Sequence, residues 1–217
     1  LSGGSAGDIV TLSSALSGTI DLSGGSDKLT LAAGGATLTV SNIETLSGGA
    51  AADVITLGAA GSSTIDLSGG NDSLTLAATG GTVTVKNIET LSGGAAGDVI
   101  TLADPMQSGT IDLAGGSDKL ILGGAANTLT VTNVETLVSG SGSDAVTLGS
   151  ALSGTIDLAG GSDTLTLGNF ANSVTLSNVE TLSGGSAGDI VTLSSALSGT
   201  IDLSGGSDKL TLAAGGA

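Results

Sequence analysis

The word Glu-Thr-Leu closes at Leu46, Leu91, Leu137 and Leu182, and with Leu1 in the same frame the steps are 45, 45, 46 and 45 residues. A chain that repeats at a fixed step of this length builds its core by stacking equivalent units, not by folding one irregular interior. The repeats run 1–45, 46–90, 91–136 and 137–181, with a partial repeat at 182–217. Residues 1–36 and 182–217 are identical, whereas the repeats between them differ at many positions. The identity reads as one 181-residue period of a larger tandem array plus the start of the next. The other reading is one segment occurring twice. On the first, the chain is a single repetitive segment excerpted from a longer array.

A second repeat lies inside the first. The word Asp-x-apolar-Thr-Leu begins at Asp8, Asp27, Asp53, Asp72, Asp98, Asp118, Asp144, Asp163, Asp189 and Asp208, and only the Asp118 copy departs, with Ile121 in place of Thr. Between these words sit Thr19-Ile20-Asp21-Leu22 and Thr37-Leu38-Thr39-Val40. Both kinds of word alternate with period two and carry β-branched residues, so both read as short strands. Glycine pairs and Ser/Ala/Gly clusters between them read as turns. Nothing has helical periodicity.

The expected fold is all-β: a parallel β-solenoid, or β-roll, running as a continuous rod. Each 45-residue repeat is read as two coils of about 19 and 26 residues. Each coil places one strand on each of two facing sheets, and all Asp-x-apolar-Thr-Leu words share one sheet. Ser41 to Leu46 is an extra strand piece or corner in the long coil. One 45-residue coil per repeat is the rival reading. Val10, Leu12, Ile20, Leu22, Leu29, Leu31, Leu38 and Val40 point inward on this scheme.

Composition agrees with a thin aliphatic interior. The chain has 217 residues, 39 of them Gly, one Phe, one Met, one Pro and no Cys, Trp or Tyr. Its net charge of −16 argues against nucleic acid and anionic membrane surfaces as partners. No apolar run reaches the roughly 18 residues of a membrane helix, so no membrane insertion is expected. Without cysteine, the redox compartment is not legible. The two irregular stretches, Ala103 to Gln107 and Asn169 to Asn172, fall where loops are expected and read as surface variation.

The turn words carry a family resemblance. Gly3-Gly4-Ser5-Ala6-Gly7-Asp8-Ile9-Val10-Thr11 resembles the RTX nonapeptide GGxGxDxUx, in which U is a large aliphatic residue, except for Ala6. Ser139-Gly140-Ser141-Gly142-Ser143-Asp144-Ala145-Val146-Thr147 resembles it except for Ser139. The turns at Gly48, Gly93 and Gly184 resemble it with Ala in the fourth place. The resemblance implies a β-roll, calcium in the turns and secretion from a bacterium. The metal ligands it implies are the ten aspartates that open the words. Every second turn, such as Gly24-Gly25-Ser26-Asp27, is two residues shorter than the family turn.

Parity bears on these aspartates independently. Asp8 has the parity of inward Val10 and Leu12, so it turns into the coil edge. Asp21 has the opposite parity and faces water. Carboxylates stacked one strand spacing apart repel, so some have raised pKa values. A hard cation with oxygen ligands relieves that repulsion; the alternative is that each Asp accepts turn backbone N–H groups.

Outward, the Asp-x-apolar-Thr-Leu sheet shows Thr in one column and Ile9, Lys28, Val54, Val99 and Ile190 among the residues of the other. The apolar members form either a lateral packing stripe or an ordinary β face. Glu44, Glu89, Glu135 and Glu180 form a separate column. With no His, Cys or Tyr, an enzyme is not expected: Ser without a base is not a nucleophile. The expected function is a structural extracellular fibre or rod on a bacterial surface: a filament, adhesin stalk or surface-layer segment. Its expected partners are further repeats end to end, with lateral self-association a further option. The alternatives are an RTX-like calcium-binding module accessory to a secreted toxin or enzyme, and an ice-binding solenoid.

Overall fold

The computed structural model describes residues 1–196 and 198–213. Among these there is no helix, and so none long and apolar enough to cross a membrane. The chain divides into two compact bodies, Leu1–Asp104 with Leu113–Gly116, and Pro105–Asp112 with Ser117–Ala217.

The first repeat folds into five short strands: β1 (Ile9–Thr11), β2 (Ser17–Asp21), β3 (Lys28–Thr30), β4 (Thr37–Ser41) and β5 (Thr45–Ser47). The second gives β6 (Val54–Leu57), β7 (Ser62–Asp66), β8 (Ser73–Thr75), β9 (Thr82–Lys86) and β10 (Thr90–Ser92). The third gives β11 (Val99–Leu102), β12 (Gly109–Asp112), β13 (Lys119–Ile121), β14 (Thr128–Thr132) and β15 (Thr136–Val138). Next come β16 (Ala145–Leu148), β17 (Ser153–Asp157), β18 (Thr164–Thr166), β19 (Ser173–Ser177) and β20 (Thr181–Ser183). The described chain closes with β21 (Ile190–Leu193), β22 (Thr200–Asp202) and β23 (Lys209–Thr211).

In the first body the odd strands β1 to β11 form one parallel sheet in sequence order and the even strands β2 to β10 form the other. In the second body β12 to β22 and β13 to β23 do the same. This is the expected parallel β-solenoid. Its coils, however, are shorter and more even than a 19/26 pair. Along the odd sheet the paired residues Ile9, Lys28, Thr45, Thr64, Thr84 and Thr101 advance by 19, 17, 19, 20 and 17 residues.

The difference has one cause. The Glu-Thr-Leu piece is a full strand (β5, β10, β15, β20), paired on both sides, not a corner of a long coil. Five strands per repeat is an odd number, so successive repeats start on opposite sheets. The Asp-x-apolar-Thr-Leu words therefore do not share one sheet. Those after Asp8 and Asp27 lie on odd strands, and those after Asp53 and Asp72 on even ones.

The core follows the expected parity. Ile20, Leu22, Leu29, Leu31, Leu38 and Val40 are buried, while Val10 and Leu12, in the first coil, are half-buried. Like stacks on like: Leu29, Leu46, Ile65, Val85 and Leu102 form one column through the first body. Burying one such side chain is worth about 1.5–3 kcal/mol. Since each coil contributes only short aliphatic side chains to each sheet, no aromatic is needed to fill the interior.

Two expectations about the surface change. Met106 and Asn172, in the irregular stretches, are buried, and so are structural members and not only surface variants. The exposed Ile9 and Val99 lie on odd strands but Val54 lies on an even one, so no single apolar stripe joins them.

Candidate functional site

The residue before each strand at a coil edge sets the chemistry there. Asp8, Asp27 and Glu44 precede β1, β3 and β5; Asp53, Asp72 and Glu89 precede β6, β8 and β10. The acidic residues thus form runs of Asp, Asp, Glu. Because the repeat is odd in strands, these runs alternate between two edges, which corrects a single acidic line along one edge. It also corrects the separate glutamate column: the glutamates complete the aspartate runs.

Within a run, a carboxylate after the first accepts the backbone N–H of the acidic residue one coil earlier. Asp8 N donates to Asp27 Oδ1 at 2.7 Å and Asp27 N to Glu44 Oε2 at 2.7 Å. Asp53 N donates to Asp72 Oδ1 at 2.7 Å and Asp72 N to Glu89 Oε2 at 2.7 Å. In the second body Asp118 N donates to Glu135 Oε2 at 2.8 Å, Asp144 N to Asp163 Oδ1 at 2.7 Å and Asp163 N to Glu180 Oε2 at 2.9 Å. Asp189 N donates to Asp208 Oδ1 at 2.9 Å. These bonds tie rung to rung at the point where the sheet ladders end, and they satisfy backbone groups that burial would otherwise strand.

The first aspartate of a long turn also receives its own turn. Gly4 N donates to Asp8 Oδ2 at 3.0 Å, Gly49 N to Asp53 Oδ2 at 3.1 Å and Gly94 N to Asp98 Oδ2 at 3.2 Å. The inward parity expected of the aspartates that open the words holds for eight of the ten. Asp27, Asp53, Asp72, Asp98, Asp118, Asp144, Asp163 and Asp189 are all at most 2 % exposed, which turns them into the edge of the coil. Asp8 is half-buried and Asp208 exposed.

Burial chiefly, with the neighbouring charges of Asp53 and Glu89 behind it, holds the Asp72 carboxyl above its ordinary value; the Asp53 N–H opposes this. Asp163 is raised in the same way, by burial first and then by Asp144 and Glu180. These are the middle members of their runs, where a carboxylate has an acidic neighbour on both sides.

A calcium ion takes about six to eight oxygen ligands. What the edges offer is a set of single buried carboxylate oxygens with no hydrogen-bond partner: Asp27 Oδ2, Asp53 Oδ1, Asp72 Oδ2, Asp163 Oδ2 and Asp189 Oδ2. Those positions have the donor type a hard cation needs. No group of three or more acidic side chains converges among the described residues, so carbonyls would have to supply the rest.

Asp144 does not fit. Its Oδ1 accepts Asn127 N and Nδ2, both at 2.8 Å, and its Oδ2 accepts the Ser139 hydroxyl. Ser139 stands where the other long turns have Gly, and the sequence reading missed it as a partner. Asn127 and Asn172 were missed too. Each precedes a strand as the acids do: Asn172 N and Nδ2 donate to Asp189 Oδ1 at 3.0 and 2.9 Å.

A second polar device sits at another corner. Asn42, Asn87, Asn133 and Asn178 have left-handed φ of 51 to 55°. Each Nδ2 donates to an aspartate Oδ1 at 2.7 Å, pairing Asn42 with Asp21, Asn87 with Asp66, Asn133 with Asp112 and Asn178 with Asp157. Asp21, expected only to face water, is therefore a half-buried clamp. The Asn42 amide, with Ser23 N, holds its carboxyl below the usual value.

Comparison with protein-family models, with curated proteins and with solved structures gives no match. The reading of this chain rests on its own geometry.

Proposed function

We propose that this chain is a structural segment: a stiff length of extracellular β-solenoid from a bacterial surface filament, adhesin stalk or surface-layer protein. It continues end to end into further repeats. The observation that carries this is the equivalence of its rungs. The same backbone ladder, aliphatic column and carboxylate-to-N–H bond recur coil after coil. Catalysis uses a unique convergent site, whereas load-bearing uses many equal ones, so no enzymatic role is assigned. The test is imaging of purified fragments of one, two and three 181-residue periods. Particle length should grow in equal steps at constant width; compact particles of growing width would contradict the reading.

A second reading is an RTX-like calcium-binding module. The unpartnered buried oxygens of Asp27, Asp53, Asp72, Asp163 and Asp189 favour it. Calcium there would supply positive charge to stacked carboxylates, with turn carbonyls completing its shell. Thermal melts with added calcium and with chelator decide it: an unchanged melting temperature removes the metal.

A further inference from the structure

The two sheets of each body differ in chemistry. All four lysines, Lys28, Lys86, Lys119 and Lys209, lie on odd strands. Outward hydroxyls stand on both sheets, but only the odd strands mix them with lysine. In the first body one outward column of the even strands runs Thr19, Thr39, Thr56, Thr75 and Ser92. The column beside it runs Ser17, Thr37, Val54, Ser73 and Thr90. In the second body the first column is Thr110, Thr130, Thr147, Thr166 and Ser183. Its neighbour is Thr128, Ala145, Thr164 and Thr181.

The chain carries a net charge of −16, yet no outward residue of the even strands is charged from Thr37 to Ser92, or from Thr128 to Ser183. Charge is kept off these spans of the face. Asp21, Asp112 and Asp202 stand outside those spans. Asp66 and Asp157, like the lysines, lie on odd strands.

We propose that the even-strand face of each body binds ice. This goes beyond the structural role and does not depend on it. Like hydroxyls repeat at about 4.8 Å from rung to rung, and the two columns stand about 6.7 Å apart along each strand. An ice surface is an uncharged lattice of water oxygens with repeats of similar length, each oxygen both donor and acceptor. A threonine hydroxyl is also both donor and acceptor, and its stiff β-branched side chain holds the hydroxyl and methyl in few rotamers. In the second body a shallow trough of about 270 Å³ lies between the columns, lined by Thr110, Thr128, Thr130, Ala145 and Thr147 among others. It has room for water held in register with both columns. Between Thr37 and Ser92, and between Thr128 and Ser183, a charged partner finds no counter-charge on the even strands, whereas a neutral periodic one finds a matching array.

The experiment measures thermal hysteresis and adsorption to a growing ice hemisphere for the purified chain. The expected result is a freezing gap that rises with protein concentration, with protein enriched in the ice. Thr56→Lys and Thr147→Lys, on even strands, should each lower the gap severalfold. Thr84→Lys, on an odd strand, should leave it unchanged, and all three variants should keep the wild-type circular dichroism melt. No hysteresis and no adsorption by the intact chain would overturn the proposal. So would an equal loss in Thr84→Lys, or capture of a neutral glycan surface without ice adsorption. Failure here leaves the length scaling of tandem fragments unaffected, so the two readings fail separately.

Discussion

The backbone N–H of Asp53 donates to Oδ1 of Asp72, one coil away, at 2.7 Å inside a buried edge. Asp72 in turn donates its own N–H to Glu89 Oε2 at 2.7 Å. The side chain of Asp72 is thus pulled both ways. The bond it accepts favours the charged form, while burial and two acidic neighbours disfavour it.

That balance sets an acid response. The carboxyls of Asp72 and Asp163 are raised above the ordinary 3.8 in the fold. Between that value and the raised one, the folded chain binds protons that the unfolded chain does not, so their contribution to stability rises as pH falls through this window. The gain is complete below the unfolded value. Asp21 acts in the opposite sense: its lowered pKa means its contribution fades as pH drops below the ordinary 3.8. Melting temperature against pH for the wild type and for Asp72→Asn with Asp163→Asn should separate the two. The double variant should lose part of the rise on mild acidification; superimposable profiles would contradict the assignment.

The asparagine corners should be costly to remove. Asn87 sits at φ 51°, donates Nδ2 to Asp66 Oδ1 at 2.7 Å and donates N to both carboxylate oxygens of Asp104 at 3.2 and 3.1 Å. Asn87→Ala loses the side-chain bond and places an ordinary residue in left-handed backbone, a loss of about 1–3 kcal/mol. Asn87→Gly keeps the backbone comfortable and should cost less. Urea unfolding of the two variants gives the order.

One corner offers a gain. Ala159 has φ 57° and its N–H already donates to Asp157 Oδ1 at 3.0 Å. A methyl side chain gains nothing there and pays the left-handed cost. Ala159→Gly should raise stability by up to about 1 kcal/mol after the entropy of the unfolded glycine is deducted. A lower melting temperature would show that the methyl packs usefully.

The glycines of a turn are not equivalent. A Cβ on Gly48 would come within 2.3 Å of the Leu67 carbonyl oxygen and 2.6 Å of the Leu67 backbone carbons, whereas one on Gly24 meets nothing within 4 Å. Gly48→Ala must push two coils apart and should cost several kcal/mol, on the order of an overpacked core. Gly24→Ala should be neutral or slightly stabilising, about 0.4–1 kcal/mol. Parallel melts of the two variants check the contrast.

Much of this was legible in the sequence because period-two alternation carries its own direction. The same parity that points Leu29 and Leu31 inward also buries Asp27 at 1 % exposure. What parity does not carry is the number of strands. Thr45-Leu46-Ser47 is only three residues long, too short to show alternation, so it read as an extra strand piece or a corner within a long coil. That single strand decides which words share a face and where the acidic runs lie. The Asn42 to Asp21 clamp was hidden for a different reason. It joins residues 21 positions apart through a left-handed φ that no local pattern announces.

The five-strand repeat is the claim on which the edges, faces and clamps all depend, and engineered cysteines test it directly in a chain that has none of its own. Thr39 and Thr56 are paired neighbours on even strands, while Thr30 pairs with Ser47 on an odd one. Neighbouring parallel strands lie about 4.8 Å apart, within the Cα separation of about 4.4–6.8 Å that a disulfide spans. Under mild oxidation, Thr39→Cys with Thr56→Cys should close an intramolecular disulfide, and Thr30→Cys with Thr56→Cys should stay reduced. Closure of the second pair and not the first would place all the aspartate words on one sheet and contradict the five-strand repeat.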